Sequence, residues 1–93
     1  MDITIQLDEA GSRFVADLGG QFAELRYREH DAATLDFHHT FVPADMRGGG
    51  VAGALAGFAL DWARASGQKV MPSCPYVAAY VRRHPEYADL VAD

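Results

Sequence analysis

The hydrophobic pattern of this chain changes its period once, near residue 50. Before that point, apolar and polar residues alternate in the segments ITIQL, RFVADL and TLDFHHTFV, as is typical of strands with one buried face. After it, Val51, Leu55, Phe58 and Trp62 follow one another at intervals of three or four residues, as is typical of a helix with one apolar side. Strands followed by helices predict an α+β fold.

Short connections in the first half predict antiparallel strand pairing. Gly19 and Gly20 separate RFVADL from QFAELRYRE, and two glycines between alternating segments are a strong hairpin signal. The segment HDAA then leads the chain directly into TLDFHHTFV. The sequence therefore predicts three or four neighbouring antiparallel strands.

The same alternation predicts which side chains enter the core. In TLDFHHTFV it assigns four residues to one face: Leu35, Phe37, His39 and Phe41. On this basis we interpret His39 as a hydrogen-bonded core histidine and His38 as a surface residue or, at most, an acceptor contact. The helical spacing likewise assigns Phe58 and Trp62 to the core.

The second half of the chain predicts a helix, a strand and a second helix. Ser66 and Gly67 end the first helix, because glycine is the usual residue after a helix C-terminus. QKVMPS follows as a short strand, and Pro75 fits the first position of the next helix, with Cys74 as its N-cap. Pro85 ends that helix, and EYADLVAD predicts at most one further helical turn. The predicted fold is a mostly antiparallel mixed sheet with two main helices packed on it, in one domain spanning residues 1–93.

Composition limits the classes of partner. The net charge of −5 argues against general nucleic-acid binding and favours a cationic substrate such as an amine. No apolar run approaches the roughly 20 residues of a membrane span, and no signal peptide is visible, so we expect a cytoplasmic protein without membrane contact. The single Cys74 fits a reducing compartment, and no spacing of His, Cys and Asp indicates a metal site.

A run of three glycines, Gly48 to Gly50, stands directly before the first predicted helix. Backbone N–H groups at a helix N-terminus bind phosphate, and glycine lets the phosphate oxygens approach. Gly48-x-Gly50-x-x-Gly53 matches the dinucleotide fingerprint only in letters, because the βαβ unit and the later acidic residue are missing. The lysine of a P-loop is missing as well, so neither nucleotide interpretation holds.

A third pattern, Arg47-Gly48-Gly49-Gly50-Val51-Ala52, satisfies Arg/Gln-x-x-Gly-x-Gly/Ala. It resembles the acetyl-CoA signature of the GNAT N-acetyltransferase superfamily. The segments HTFVPADMRGGGVAGAL and PSCPYVAAYVRRHPEY resemble, in order and spacing, the small single-domain GNAT-like acetyltransferases of about a hundred residues. The resemblance covers roughly residues 13–87 and implies a minimal GNAT fold.

The resemblance implies acetyl-CoA as cofactor and an amine as acceptor. It places the pyrophosphate on Arg47, Gly48, Gly49, Gly50, Val51 and Ala52. It also assigns main-chain contacts with the pantetheine arm to Phe41 and Val42. The acetyl thioester would then lie near Cys74 and the start of the second helix.

Two residues are candidates for the chemistry of acetyl transfer. Tyr80 resembles the tyrosine that many GNAT enzymes place near the CoA sulfur, and it is the candidate general acid. Cys74 either accepts the acetyl group as a covalent intermediate, since a helix N-terminus favours a thiolate, or lines the pocket while the amine attacks directly.

Two departures from the family pattern leave alternatives open. Gly49 occupies a position that often carries a bulkier or basic residue, and the chain has only turns where large GNAT enzymes have two acceptor-site helices. A CoA-binding module with little turnover is therefore the rival interpretation, and a structural adaptor without a ligand is a third. We expect a monomer or a weak homodimer.

Overall fold

The computed structural model describes residues 3–92, so Met1, Asp2 and Asp93 lie outside the described part of the predicted domain. The elements follow in the predicted order: β1 (Thr4–Asp8), β2 (Arg13–Asp17), β3 (Phe22–Asp31), β4 (Thr34–Phe41), α1 (Val51–Ala65), β5 (Lys69–Met71) and α2 (Pro75–Arg83). Short 3₁₀ helices span Ala44–Met46 and Pro85–Leu90. Among the described residues, no helix combines the length and apolar character that a membrane crossing requires.

The five strands form one sheet in the order β1-β2-β3-β4-β5. The first four pair antiparallel, through the turns that the sequence predicts, and β5 pairs parallel with β4 after the α1 crossover. The parallel pairing joins only three residues of each strand, Thr34–Asp36 to Lys69–Met71. The predicted α+β class, with its mostly antiparallel mixed sheet, is confirmed.

The hydrophobic core contains alternate residues of the strands together with one side of each helix. Phe14 lies at its centre, and its ring is within about 6 Å of the rings of Tyr27, Phe37, Phe58 and Trp62. Val77 and Val81 of α2 join the same cluster. Both helices therefore contribute to a single core, as predicted.

A β-bulge at His38 corrects the predicted face of β4. Arg26 pairs with His39 while the next residue, Tyr27, pairs with Phe37, so His38 is an extra residue in β4. Because alternation is interrupted there, His39 and Phe41 leave the face of Leu35 and Phe37. His39 is exposed and Phe41 is 41% exposed, so the interpretation of His39 as a core residue is wrong.

The buried side of α1 also differs from the predicted stripe. Its buried residues are mainly small: Val51, Leu55, Ala56, Ala59, Leu60 and Ala63. At 100° per residue their centre is about a quarter turn away from the stripe drawn through the large side chains. Phe58 is consequently 38% exposed, and Trp62 packs against the core only in part. Alanines at the contact let the helix lie close to the sheet.

The opposite face of the sheet carries a charged cluster centred on the buried Glu24. Arg13 Nη1 donates to Glu24 Oε1 at 2.7 Å, and Arg26 Nε donates to Glu24 Oε2 at 2.8 Å. Burial opposes ionisation of Glu24, but the two arginine hydrogen bonds outweigh it and lower the pKa of the carboxyl group. The carboxylate is therefore held ionised between β2 and β3.

Candidate functional site

The candidate site is a cavity at the place where β4 and β5 separate. Ladder pairing between these strands stops at Asp36, and the N–H of Cys74 then donates to the carbonyl oxygen of Phe37 at 2.9 Å. Beyond this point β4 continues to Phe41 along a cavity of about 570 Å³. One wall is the segment from His39 to Val42, and the other is the glycine loop with the start of α1.

The glycine loop adopts a conformation that only glycine takes readily. Gly48 and Gly50 both have φ of +85°, in the left-handed region, and Gly50 is the N-cap of α1. The first intrahelical hydrogen bond runs from Ala54 N to Gly50 O at 3.0 Å. The N–H groups of Val51 and Ala52 therefore have no acceptor within the helix.

The N-terminus of α1 is also without a capping side chain. Gly50 offers no side-chain hydrogen bond, and the first turn carries no acidic residue. Gly48, Gly50, Val51, Ala52 and Gly53 border the cavity. The positive end of the dipole of a 15-residue helix consequently faces this cavity. Such an arrangement can bind an anion.

Arg47 ties the loop to the end of β4. Its Nε donates to the carbonyl oxygen of Val42 at 3.0 Å, and both residues border the cavity. The rest of the guanidinium keeps N–H groups that can reach an anion. Unlike Gly48 and Gly50, Gly49 does not border the cavity. Its N–H donates instead to the carbonyl oxygen of Met46 at 3.4 Å.

Cys74 is buried behind the wall that β4 forms. It is 6% exposed, and its Sγ lies 3.5 Å from Thr40 Oγ1, whose residue borders the cavity. It is the N-cap of α2, with Pro75 at the first helical position, as predicted. The thiol therefore lies next to the cavity wall rather than in the opening.

Tyr80 packs against α1 instead of bordering the cavity. A Cβ built on Gly57 would lie 3.0 Å from the Tyr80 hydroxyl, and the Tyr80 ring stacks on His84 at 4.0 Å between centroids. Burial, followed by the charges of Tyr76 and Glu86, raises the pKa of Tyr80, so the phenol stays protonated at neutral pH. It lies one helical turn away from the part of α2 that reaches the cavity.

Five residues that border the cavity were absent from the predicted site: His39, Thr40, Met46, Gly53 and Tyr76. Of these, Tyr76 and His39 carry side chains that can exchange a proton. Tyr76 lies four residues before Tyr80 on the same side of α2, so spacing alone could not separate the two tyrosines. Its position two residues after Cys74, in the first turn, is the signal that favours it. His39 was assigned to the core because the bulge at His38 leaves no mark in the alternation.

Comparison with protein families identifies this architecture. The sequence model of the GCN5-related N-acetyl-transferase family matches residues 13–90. The chain belongs to this family. Both segments that carry the resemblance, the glycine loop and the turn at Cys74, lie inside the match, and the GNAT fold seen in the strand order agrees with it.

Individual relatives match nearly the whole chain. Protein NATD1 of Xenopus tropicalis is 33% identical over 85 residues, which cover 89% of this chain and 78% of the relative. Human Protein NATD1 is also 33% identical over 85 residues, which cover 89% of this chain and 75% of the human protein. The NMR structure of a GCN5-like protein from Staphylococcus aureus superposes with a TM-score of 0.75 at 25% identity, over 96% of this chain and 87% of that one.

Proposed function

We propose that this GNAT protein is an acetyl-CoA-dependent N-acetyltransferase that acts on an amine. The observation that carries the proposal is the uncapped N-terminus of α1, opened by two left-handed glycines, beside a strand edge that has lost its neighbour. The helix N-terminus can bind a diphosphate, and the free strand edge can pair with an amide-containing arm. A nucleotide thioester such as acetyl-CoA has both groups.

The phosphate-binding part is assigned to residues 47–52. N–H groups of the loop and first turn donate to the diphosphate, and the free N–H groups of Arg47 add a cation. A Cβ on Gly48 or Gly50 would meet no protein atom within 4 Å, so the space in front of them is open to a ligand. This local arrangement lets a chain with a net charge of −5 bind an anion.

The strand part is assigned to the main chain of Phe41 and Val42. The apolar residues Val42, Met46 and Val51 border the same cavity, so an extended aliphatic arm can lie there out of water. Acetyl-CoA supplies a thioester carbonyl that an amine can attack. The residues around Thr40 and Cys74 then surround the end of the arm.

Two routes for the acetyl group remain open in this site. In one, the Cys74 thiolate takes the acetyl group first and an amine then removes it. In the other, the amine attacks directly and Cys74 only packs behind Thr40, at 3.5 Å. Tyr80 keeps its proton and is the proposed acid for the departing thiolate, although Tyr76 lies nearer to the cavity.

Two measurements test the proposal. Acetyl-CoA is expected to raise the melting temperature, because a ligand that binds only the folded chain stabilises it by mass action. Mass spectrometry of reactions with a panel of amines, including polyamines and lysine peptides, is expected to detect acetylated products. Absence of both effects at millimolar acetyl-CoA would refute the proposal.

A CoA-binding module with little turnover is the second candidate. The β1–β2 and β2–β3 connections are short turns without a helix that could form a wall for an acceptor. Thermal stabilisation by acetyl-CoA without transfer to any amine in the panel would support this candidate. Acetylated product formed at a rate above the buffer control would exclude it.

A further inference from the structure

His39 stands at the opening of the cavity with an exposed imidazole. The β-bulge at His38 places it there. His39 pairs with Arg26, on the face of the sheet that carries Glu24, whereas Thr40 pairs with Leu25, on the core face. Neighbouring residues in a strand point to opposite sides. His39 and Cys74 therefore lie on opposite sides of β4, because Cys74 contacts Thr40.

The surroundings leave the ring nitrogens of His39 available. No hydrogen bond or ion pair connects the imidazole to another side chain among residues 3–92. The charged and titratable groups around it are already engaged or lie further along the cavity. On β3, Arg26 donates to Glu24 at 2.8 Å. On the loop, Arg47 donates to Val42.

Three further titratable groups complete these surroundings. Tyr76 of α2 borders the same cavity. On β4 itself, Asp36 accepts from Arg28 at 3.1 Å, and His38 is the half-buried bulge residue. None of these groups forms a hydrogen bond or an ion pair with the imidazole of His39. An accessible imidazole at the opening of a cavity is suited to exchange a proton with a molecule that enters.

We propose that His39 is the general base for the acceptor, taking a proton from an alkylammonium as it enters the site. The inference rests on the proposed function and identifies the acceptor class as a protonated amine. The position of Cys74 behind Thr40, on the other side of β4, excludes activation of the thiol as the role of His39. The imidazole is exposed and borders the cavity, so an acceptor that enters from solvent can contact it.

The proton and electron balance of the step is as follows for an acceptor R–NH₃⁺. One N–H bond breaks, its proton goes to an imidazole nitrogen of His39, and the lone pair returns to the amine nitrogen. That lone pair forms the C–N bond to the acyl carbon while the C–S bond breaks and its electron pair stays on sulfur. The second proton lost from nitrogen neutralises the thiolate, and the imidazolium returns its proton to solvent.

The test compares two amines of nearly the same size, one methylene group apart, that have different protonation states at neutral pH. Benzylamine is an ammonium at neutral pH and needs a base, whereas aniline is already neutral. We expect His39→Gln to acetylate benzylamine about 100-fold more slowly than wild type, the contribution typical of a general base, and aniline at close to the wild-type rate. His38→Gln, which removes the adjacent imidazole, is expected to keep both rates.

An equal loss on both amines, or no loss on benzylamine, would overturn the inference. A second measurement needs no turnover: NMR of the imidazole signals while benzylamine is added to the CoA-loaded protein. The signals that His39→Gln removes are expected to move, and those of His30 are expected to stay. Unmoved His39 signals would contradict the inference, whereas a wild-type protein that acetyl-CoA does not stabilise would count against the proposed function instead.

Discussion

Substitution of Gly50 by glutamate is expected to remove acetyl-CoA binding while the chain still folds. Gly50 has φ of +85°, and a residue with a Cβ pays about 1–2 kcal/mol to adopt that conformation. No protein atom lies within 4 Å of the new Cβ, so steric overlap adds nothing. A chain of this size loses roughly 4–8 °C in melting temperature per kcal/mol. The variant should therefore remain folded at room temperature.

The effect on binding is much larger than the effect on folding. The new carboxylate would stand at the N-terminus of α1, where the diphosphate is proposed to bind. Two unit charges 4 Å apart repel by about 4 kcal/mol at an effective dielectric constant of 20. Since each 1.4 kcal/mol is tenfold in affinity, acetyl-CoA should bind about 1,000-fold more weakly.

Isothermal titration calorimetry on three variants separates charge from backbone strain. Gly50→Ala carries the strain without the charge and should weaken binding less than Gly50→Glu. Gly67→Ala carries comparable strain at the other end of α1, where φ is +72° and no atom lies within 4 Å of the new Cβ. It should lose similar stability and bind acetyl-CoA like wild type.

Retained affinity in the glutamate variant would refute the reasoning. If Gly50→Glu, shown by circular dichroism to be folded, binds acetyl-CoA within about tenfold of wild type, the phosphate groups lie elsewhere. Equal weakening by Gly67→Ala would also refute it, because the loss would then reflect general destabilisation.

Three further predictions concern the thiol, the buried carboxylate and the helix contact. Cys74→Ala should abolish transfer but keep acetyl-CoA affinity if the covalent route operates; unchanged steady-state turnover would exclude that route. Glu24→Gln should lower the unfolding free energy by about 1.5–3 kcal/mol at pH 7. Because the pKa of Glu24 is lowered in the folded chain, this stabilisation is lost with falling pH, so urea titrations should show the difference closing below about pH 4. Gly57→Ala should raise the unfolding free energy by up to about 1 kcal/mol, through helix propensity, only when it is combined with Tyr80→Phe. In the single variant the new Cβ would lie 3.0 Å from the Tyr80 hydroxyl, whereas the next ring atom is 3.9 Å away. An equal gain with Tyr80 intact would contradict the contact.

The order of elements was predictable because local signals agree with the fold. Gly19 and Gly20 have positive φ at the β2–β3 turn, and Pro75 begins α2, as their chemistry predicts. The glycine loop was likewise identified from composition and its position before a helix. Each of these features depends on the backbone preferences of one or two residues.

The errors concern properties that depend on tertiary packing. A bulge forms where two strands must adjust to each other, and the residues around His38 carry no local signal for it. The rotation of α1 depends on how closely alanines let it approach the sheet, which the helical spacing that assigned Phe58 to the core does not show. Which of Tyr76 and Tyr80 borders the cavity also depends on packing, namely on which turn of α2 lies there, and the role of Tyr80 as the acid stays a prediction.

The extra residue in β4 moves the core-facing positions of the strand from odd to even residue numbers. In a saturation library over residues 34–42, folding yield should fall at Leu35 and Phe37 in the first half and at Thr40 and Val42 in the second. The odd-numbered positions that are sensitive before His38 thus become permissive after it. A deletion of His38 would bring the two halves into phase and leave His39 opposite Arg26, on the face away from the core.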